Sequence, residues 1–134
     1  MNGIQSSRVD DQVVAIEAGM LGCMVGDALG VPVDFTSRDS RRESAVTGMR
    51  AYGTHHQPAG TWSDDSSLML CLADSFASAG VDYQDQASRF VAWMQDAVWT
   101  PDEEVFDIGY ATREAISRLE AGVEAMPQLH LHDN

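Results

Sequence analysis

The stretch from residue 10 to residue 30, DDQVVAIEAGMLGCMVGDALG, decides the fold class. Val13, Ile16, Met20 and Met24 recur at helical spacing, with Val14, Ala18, Leu21, Val25 and Ala28 beside them, so one apolar stripe runs along an α-helix predicted from Asp10 to Leu29. Asp10 and Asp11 suit its N-terminus, and Gly30 followed by Pro32 suits its end. Gly22, Gly26 and Gly30 fall on one face of that helix. Each glycine costs a helix about 1 kcal/mol relative to alanine, so their repetition calls for the close approach of another helix or of a ligand.

Working outward, the segment from Val31 to Thr61 has no periodicity, is rich in Arg, Ser, Thr and Gly, and ends GTHHQPAG. Long aperiodic loops in compact domains are usually functional. A second helix is predicted from Ser63, with Leu68, Leu72 and Phe76 on its buried face beside Met69 and Ala73, and Gly80 at its end. A third runs from Tyr83 to Val98 through Ala87, Phe90, Val91 and Met94, and Trp99-Thr100-Pro101 breaks it. A fourth begins near Asp107 and carries Ala111, Ala115, Ile116 and Leu119 until Gly122; the tail EAMPQLHLHDN follows. Strand patterns are almost absent. The reading is all-α.

The chain has 134 residues, 21 acidic and 8 basic, for a net charge of −13, and every basic residue is an arginine. That balance argues against nucleic acid, which needs a basic footprint, and against an anionic membrane surface. No run reaches the ~20 apolar residues of a membrane span, and the N-terminus lacks an apolar signal core. Cys23 and Cys71 lie in apolar helical patterns, which reads as buried reduced thiols in a cytoplasmic protein. The charge leaves metal cations open. Polyanions are open only where a metal or a local arginine cluster screens the field, and Arg38, Arg41, Arg42 and Arg50 do lie close together.

Three short constellations hold the chemistry. In Gly60-Thr61-Trp62-Ser63-Asp64-Asp65-Ser66, Ser63 is an N-cap and two carboxylates occupy the first turn, where the helix dipole favours negative charge. Successive helical side chains splay about 100° apart, so the same residues also offer hard oxygen ligands to magnesium or manganese. In GDALGVPVDF, residues 26–35, Asp27 lies at the dipole's unfavourable end and needs a specific partner, while Asp34 follows a proline that holds the backbone extended. In FDIGYATREAI, residues 106–116, Asp107 precedes a helix, as a cap or as a reactive carboxylate. His55 and His56 read as solvated loop residues, Trp62 as a core residue or a stacking platform, and His130 and His132 as part of a frayed tail.

These three motifs, in this order and at these separations, resemble the ADP-ribosylglycohydrolase family, which includes the enzyme that removes ADP-ribose from dinitrogenase reductase. The resemblance runs from about Ala15 to Asn134. It implies an all-α fold with a binuclear Mg2+ or Mn2+ site that cleaves the bond between ADP-ribose and an amino-acid side chain. It places Ser63, Asp64 and Asp65 as metal ligands, with serine where the family usually has threonine. Asp34 stands where the family usually has glutamate, and with Asp107 it is implied as a catalytic carboxylate. Gly109, Ile108 and Trp62 are implied to bind substrate, with the backbone N–H groups at that helix start facing the diphosphate. Asp27 is implied to brace the helix end and the metal ligands.

The resemblance also implies what is missing. Family members supply further ligands from a C-terminal Asp-x-Asp-Thr/Ser segment that this sequence lacks. Residues 1–134 therefore read as the N-terminal part of a single truncated domain. The expected partners are an ADP-ribosylated protein or a small ADP-ribose derivative, and a second copy or a complementing C-terminal chain. A non-catalytic ADP-ribose-binding or regulatory remnant is the alternative.

Overall fold

The computed structural model describes residues 3–122; the predicted tail, including His130 and His132, lies outside them. Among the described residues five α-helices follow one another: α1 (Gly3–Gly30), α2 (Arg38–Glu43), α3 (Asp64–Ala79), α4 (Tyr83–Asp96) and α5 (Tyr110–Glu120). A 3-10 turn, Val31–Val33, extends α1. Among the described residues there is no strand. The all-α expectation holds.

Two helices begin where the sequence placed them. Ser63 is the N-cap of α3 and Gly80 its C-cap, while Asp82 caps α4 by accepting from the N–H groups of Gln84 and Asp85. α4 ends at Asp96 rather than Val98, and three further features differ from prediction. α1 begins earlier, at Gly3. The segment predicted to be irregular contains α2, whose N-cap Ser37 accepts from the Ser40 N–H at 3.1 Å. α5 starts at Tyr110 rather than near Asp107, because Asp107 has φ +58° and cannot begin a right-handed helix.

The core sits among α3, α4 and α5, where Cys71, Trp93 and Ile116 are buried with Leu68, Phe90, Val91, Met94, Val105 and Ile108 packed around them. Ser67, Cys71 and Ser75 follow at intervals of four and are fully or almost fully buried. These small side chains line the face of α3, and the buried indole of Trp93 comes from α4. Phe76, predicted to be buried, is exposed. Burial also pushes the Cys71 thiol up to about 11, as befits an apolar site. Both cysteines are free, but Cys23 is exposed rather than buried.

α1 joins this bundle only through its C-terminal end, where Ala28 and Val31 are buried. Its upstream apolar residues Val13, Val14, Ile16, Leu21 and Val25 are exposed. The expectation about membrane spans needs correction here. Val9–Val33 is 25 residues long with mean hydropathy 1.5 over its most apolar window, enough by length and composition to cross a membrane. Val, Ile, Leu, Met and Ala raise the average, while interleaved Gly, Glu and Asp keep the run from being unbroken. The end of that stretch, however, carries the carboxylate of Asp27, which is bonded to α3.

Candidate functional site

Asp27 ties α1 to the beginning of α3. A helix leaves its first N–H groups without intrahelical partners, and the Asp27 carboxylate accepts two of them, from Ser63 at 3.0 Å and Ser66 at 3.1 Å. It also accepts from the hydroxyls of Ser63 at 2.7 Å and Ser66 at 2.5 Å. A carboxylate at the negative end of one helix dipole is thus held by the positive end of another. The Ser63 hydroxyl donates to Asp27 and accepts from the Asp65 N–H at 3.4 Å. A hydroxyl has two acceptor lone pairs, so one remains for a ligand.

Asp64 and Asp65 follow in the first turn of α3. The Asp64 carboxyl is pushed up to about 6, first by burial, then by the charges of Asp65 and Asp107, with Asp27 adding to them and a backbone N–H opposing. Asp65 is exposed. Asp27, Asp34, Ser63, Asp65 and Asp107 line one open cleft of about 800 Å³ beneath the C-terminal half of α1. Asp64 faces a narrow pocket behind it, shared with Trp62, Trp93 and Phe106.

The loop between α2 and α3 adds a residue that was expected to be solvated. His55 is largely buried, with Nε2 3.2 Å from Asp34 Oδ2 and 3.4 Å from Asp107 Oδ2. Its ring lies between Phe35 and Phe106, at centroid distances of 6.0 and 5.4 Å. His56 is exposed, as expected. Backbone contacts fix this arrangement. Thr54 N–H donates to Pro32 O at 3.2 Å, and the Thr54 hydroxyl donates to Asp34 O at 2.7 Å. Gly53 lies so close to Pro32 that a Cβ there would sit 1.8 Å from its carbonyl oxygen. That glycine, two residues before His55, is the sequence feature that could have marked the histidine. It reads as an ordinary turn residue until Pro32 is known to lie against it.

Burial raises the Asp107 carboxyl above its ordinary value, His55 opposes the shift, and the charges of Asp34 and Asp65 add to it. Asp34 Oδ1 accepts from the Phe35 N–H at 3.0 Å. Asp34, His55 and Asp107 each offer a ligand atom within 4.8 Å of the others. Together with the Ser63 hydroxyl and the crowded charges of Asp64 and Asp65, this is a set of mostly hard oxygen donors that fits a divalent cation.

The substrate-side expectations divide. Gly109 is the exposed N-cap of α5 and gives its helix no side-chain acceptor, so the N–H groups there are open to a ligand. A Cβ at Gly109 would meet only Thr112 Oγ1, at 3.8 Å. Ile108 packs against the core. Trp62 donates from its indole N–H to Trp99 O at 3.2 Å and lies by the narrow pocket instead of the cleft. Gly22, Gly26 and Gly30 line the cleft, and among the described residues nothing comes within 4 Å of a Cβ built on any of them. Close packing against another described helix does not account for them.

The chain is similar in sequence to known proteins. The sequence profile of the ADP-ribosylglycohydrolase family matches residues 8–132. An ADP-ribosylarginine hydrolase, Tri1, of Pseudomonas putida (strain GB-1) is 38% identical over 101 residues, covering 75% of this chain and 26% of that protein. A protein of the same name from Serratia proteamaculans (strain 568) is 33% identical over 103 residues, covering 76% of this chain and 27% of its own length. The chain spans about a quarter of the length of these curated relatives. An all-helical chain whose three acidic motifs meet at one cleft, matched by this profile over nearly its whole length, belongs to the ADP-ribosylglycohydrolase family.

Proposed function

We propose that this chain supplies one part of the active site of a metal-dependent hydrolase that removes ADP-ribose from arginine side chains. The observation that carries the reading is the convergence of Asp27, Asp34, Ser63, Asp65 and Asp107 on one cleft in a member of this family. The arginine linkage comes from the relatives, both named ADP-ribosylarginine hydrolases.

Ser63, Asp64 and Asp65 would hold Mg2+ or Mn2+, two ions when the remaining family ligands are present. Such a cation would neutralise the crowded carboxylates and make an acidic cleft hospitable to a diphosphate. Asp27 positions Ser63 and the first turn of α3. Asp107, whose hold on a proton burial strengthens, donates a proton to the departing guanidino nitrogen as the ribose C1–N bond breaks. A water oxygen forms the new C1–O bond and gives its proton to Asp34, which His55 holds in place. Flanking carboxylates stabilise the oxocarbenium-like charge in between. The N–H groups beginning at Gly109 face the diphosphate, Ile108 contributes through its backbone, and Trp62 buttresses Asp64.

Two further parts of the reading concern surroundings. The exposed apolar positions of α1 support a second copy or a complementing C-terminal segment as their cover. The free cysteines support a reducing, cytoplasmic setting.

The test is release of ADP-ribose from an ADP-ribosylarginine peptide with Mg2+ or Mn2+, with and without the downstream segment of a relative added as a separate chain. Turnover that appears with the added segment and is lost in Asp64→Asn supports the proposal. Absence of turnover at every concentration of the segment contradicts it, and binding of ADP-ribose without turnover would then identify a non-catalytic binding remnant.

A further inference from the structure

Three of the four arginines that cluster in the sequence are used in different ways. Arg42 pairs with Asp39 at 2.9 Å. Arg50 donates to the carbonyl of Ala45 at 2.6 Å and to Ser44. Arg41 alone lines the acidic cleft and is the sole basic residue there. Its terminal nitrogens donate only to neutral oxygens, the Ser40 hydroxyl at 2.9 Å and Ser44 O at 3.4 Å. Its Nε is buried and has no acceptor among the described residues, and no carboxylate there lies within ion-pair distance of it.

That combination is unusual, because buried donors normally find an acceptor. Arg41 is a half-buried guanidinium without a counterion among the described residues, beside a cleft that holds Asp27, Asp34, Asp65 and Asp107. Each terminal nitrogen donates once to a neutral oxygen and so keeps a further N–H for a ligand. A guanidinium offers five N–H donors in a planar fork that matches phosphate oxygens, and charge-assisted bonds of this kind are the strong ones. We infer that Arg41 is the phosphate anchor of this cleft, binding the diphosphate of the ADP-ribosyl group from the α2 side. The inference rests on the ADP-ribose reading and adds the residue that lets an acid-lined cleft accept a dianion.

The experiment is calorimetric titration of the whole chain with ADP-ribose in Mg2+, comparing wild type, Arg41→Gln, Arg41→Lys and the surface control Arg42→Gln, with helicity checked by circular dichroism. The expected result is a loss of at least tenfold in affinity for Arg41→Gln, partial recovery in Arg41→Lys and no change in Arg42→Gln. Wild-type affinity should also fall with added KCl more steeply than that of Arg41→Gln. Equal affinity of wild type and folded Arg41→Gln overturns the inference alone. Loss of helicity in both Arg41 variants assigns the residue to the fold and also overturns it. Absence of ADP-ribose binding by wild type overturns the inference together with the functional reading beneath it.

Discussion

A carboxylate in the first turn of a helix ordinarily gains from the dipole, yet the Asp64 carboxyl is pushed from 3.8 up to about 6 by burial and by Asp65 and Asp107. The folded state therefore holds this proton more tightly than the unfolded chain does. Its contribution to stability is present below the unfolded value of 3.8 and is lost as the pH rises through about 6. Converted in full, the shift would be worth about 3 kcal/mol, but solvent screening of a half-buried group brings this to about 1 kcal/mol. Asp64→Asn should thus stabilise the chain by about that amount at pH 7.5 in chelator, with the gain vanishing below pH 4. Thermal melts across pH check both. Gly53 makes the opposite kind of prediction. A methyl group there meets the Pro32 backbone at 1.8 Å, so Gly53→Ala must move the loop that carries His55. Its expected cost is about 1–3 kcal/mol, as for overpacking, measured by urea unfolding. Asp27 stood out in the sequence because it lies at the unfavourable end of a helix dipole, Asp64 and Asp65 because they follow an N-cap serine, and Asp34 and Asp107 only through the family resemblance. His55 did not, because its partners Asp34 and Asp107 are distant in sequence and nothing local distinguishes a buried loop histidine from a solvated one.

Among the elements, the junction of α1 with α3 organises the cleft. Its strength rests on one side chain, since Asp27 accepts from both Ser63 and Ser66, twice each. Asp27→Asn keeps the shape but removes the charge and turns one acceptor atom into a donor facing N–H groups. It should cost about 2–3 kcal/mol and loosen the first turn of α3, read as faster hydrogen exchange there than in α4. The same logic explains how far helix prediction reached. α3 was legible through Ser63 and Gly80, which bound the helix locally, and α4 through the helical spacing of Ala87, Phe90, Val91 and Met94. The start of α5 was not, because Asp107 takes a left-handed conformation that aspartate tolerates better than most residues, and this is set by its contacts within the cleft. α2 escaped notice because a six-residue polar helix has no apolar stripe to reveal it.

At the scale of the whole molecule, the small core of α3, α4 and α5 contrasts with the largely bare α1. Val13, Ile16 and Leu21 are 48%, 62% and 62% exposed, and exposed apolar faces of this kind favour association. Sedimentation should show self-association that grows with protein concentration and weakens in an Ile16→Glu/Leu21→Glu variant; a monomer at every concentration would count against it. The net charge of −13 takes on a local meaning in the same way. Several of those acids are concentrated where α1, α3 and the loops meet, and their mutual repulsion is what a divalent cation would relieve. The most direct measurement is a Mn2+ titration followed by electron paramagnetic resonance, on wild type and on an Asp64→Asn/Asp65→Asn variant. A saturable loss of the free Mn2+ signal in wild type, competed by Mg2+ and weakened at least tenfold in the folded variant, is the predicted result. Equal Mn2+ binding by the two proteins, or none by wild type, would contradict a metal site at the start of α3.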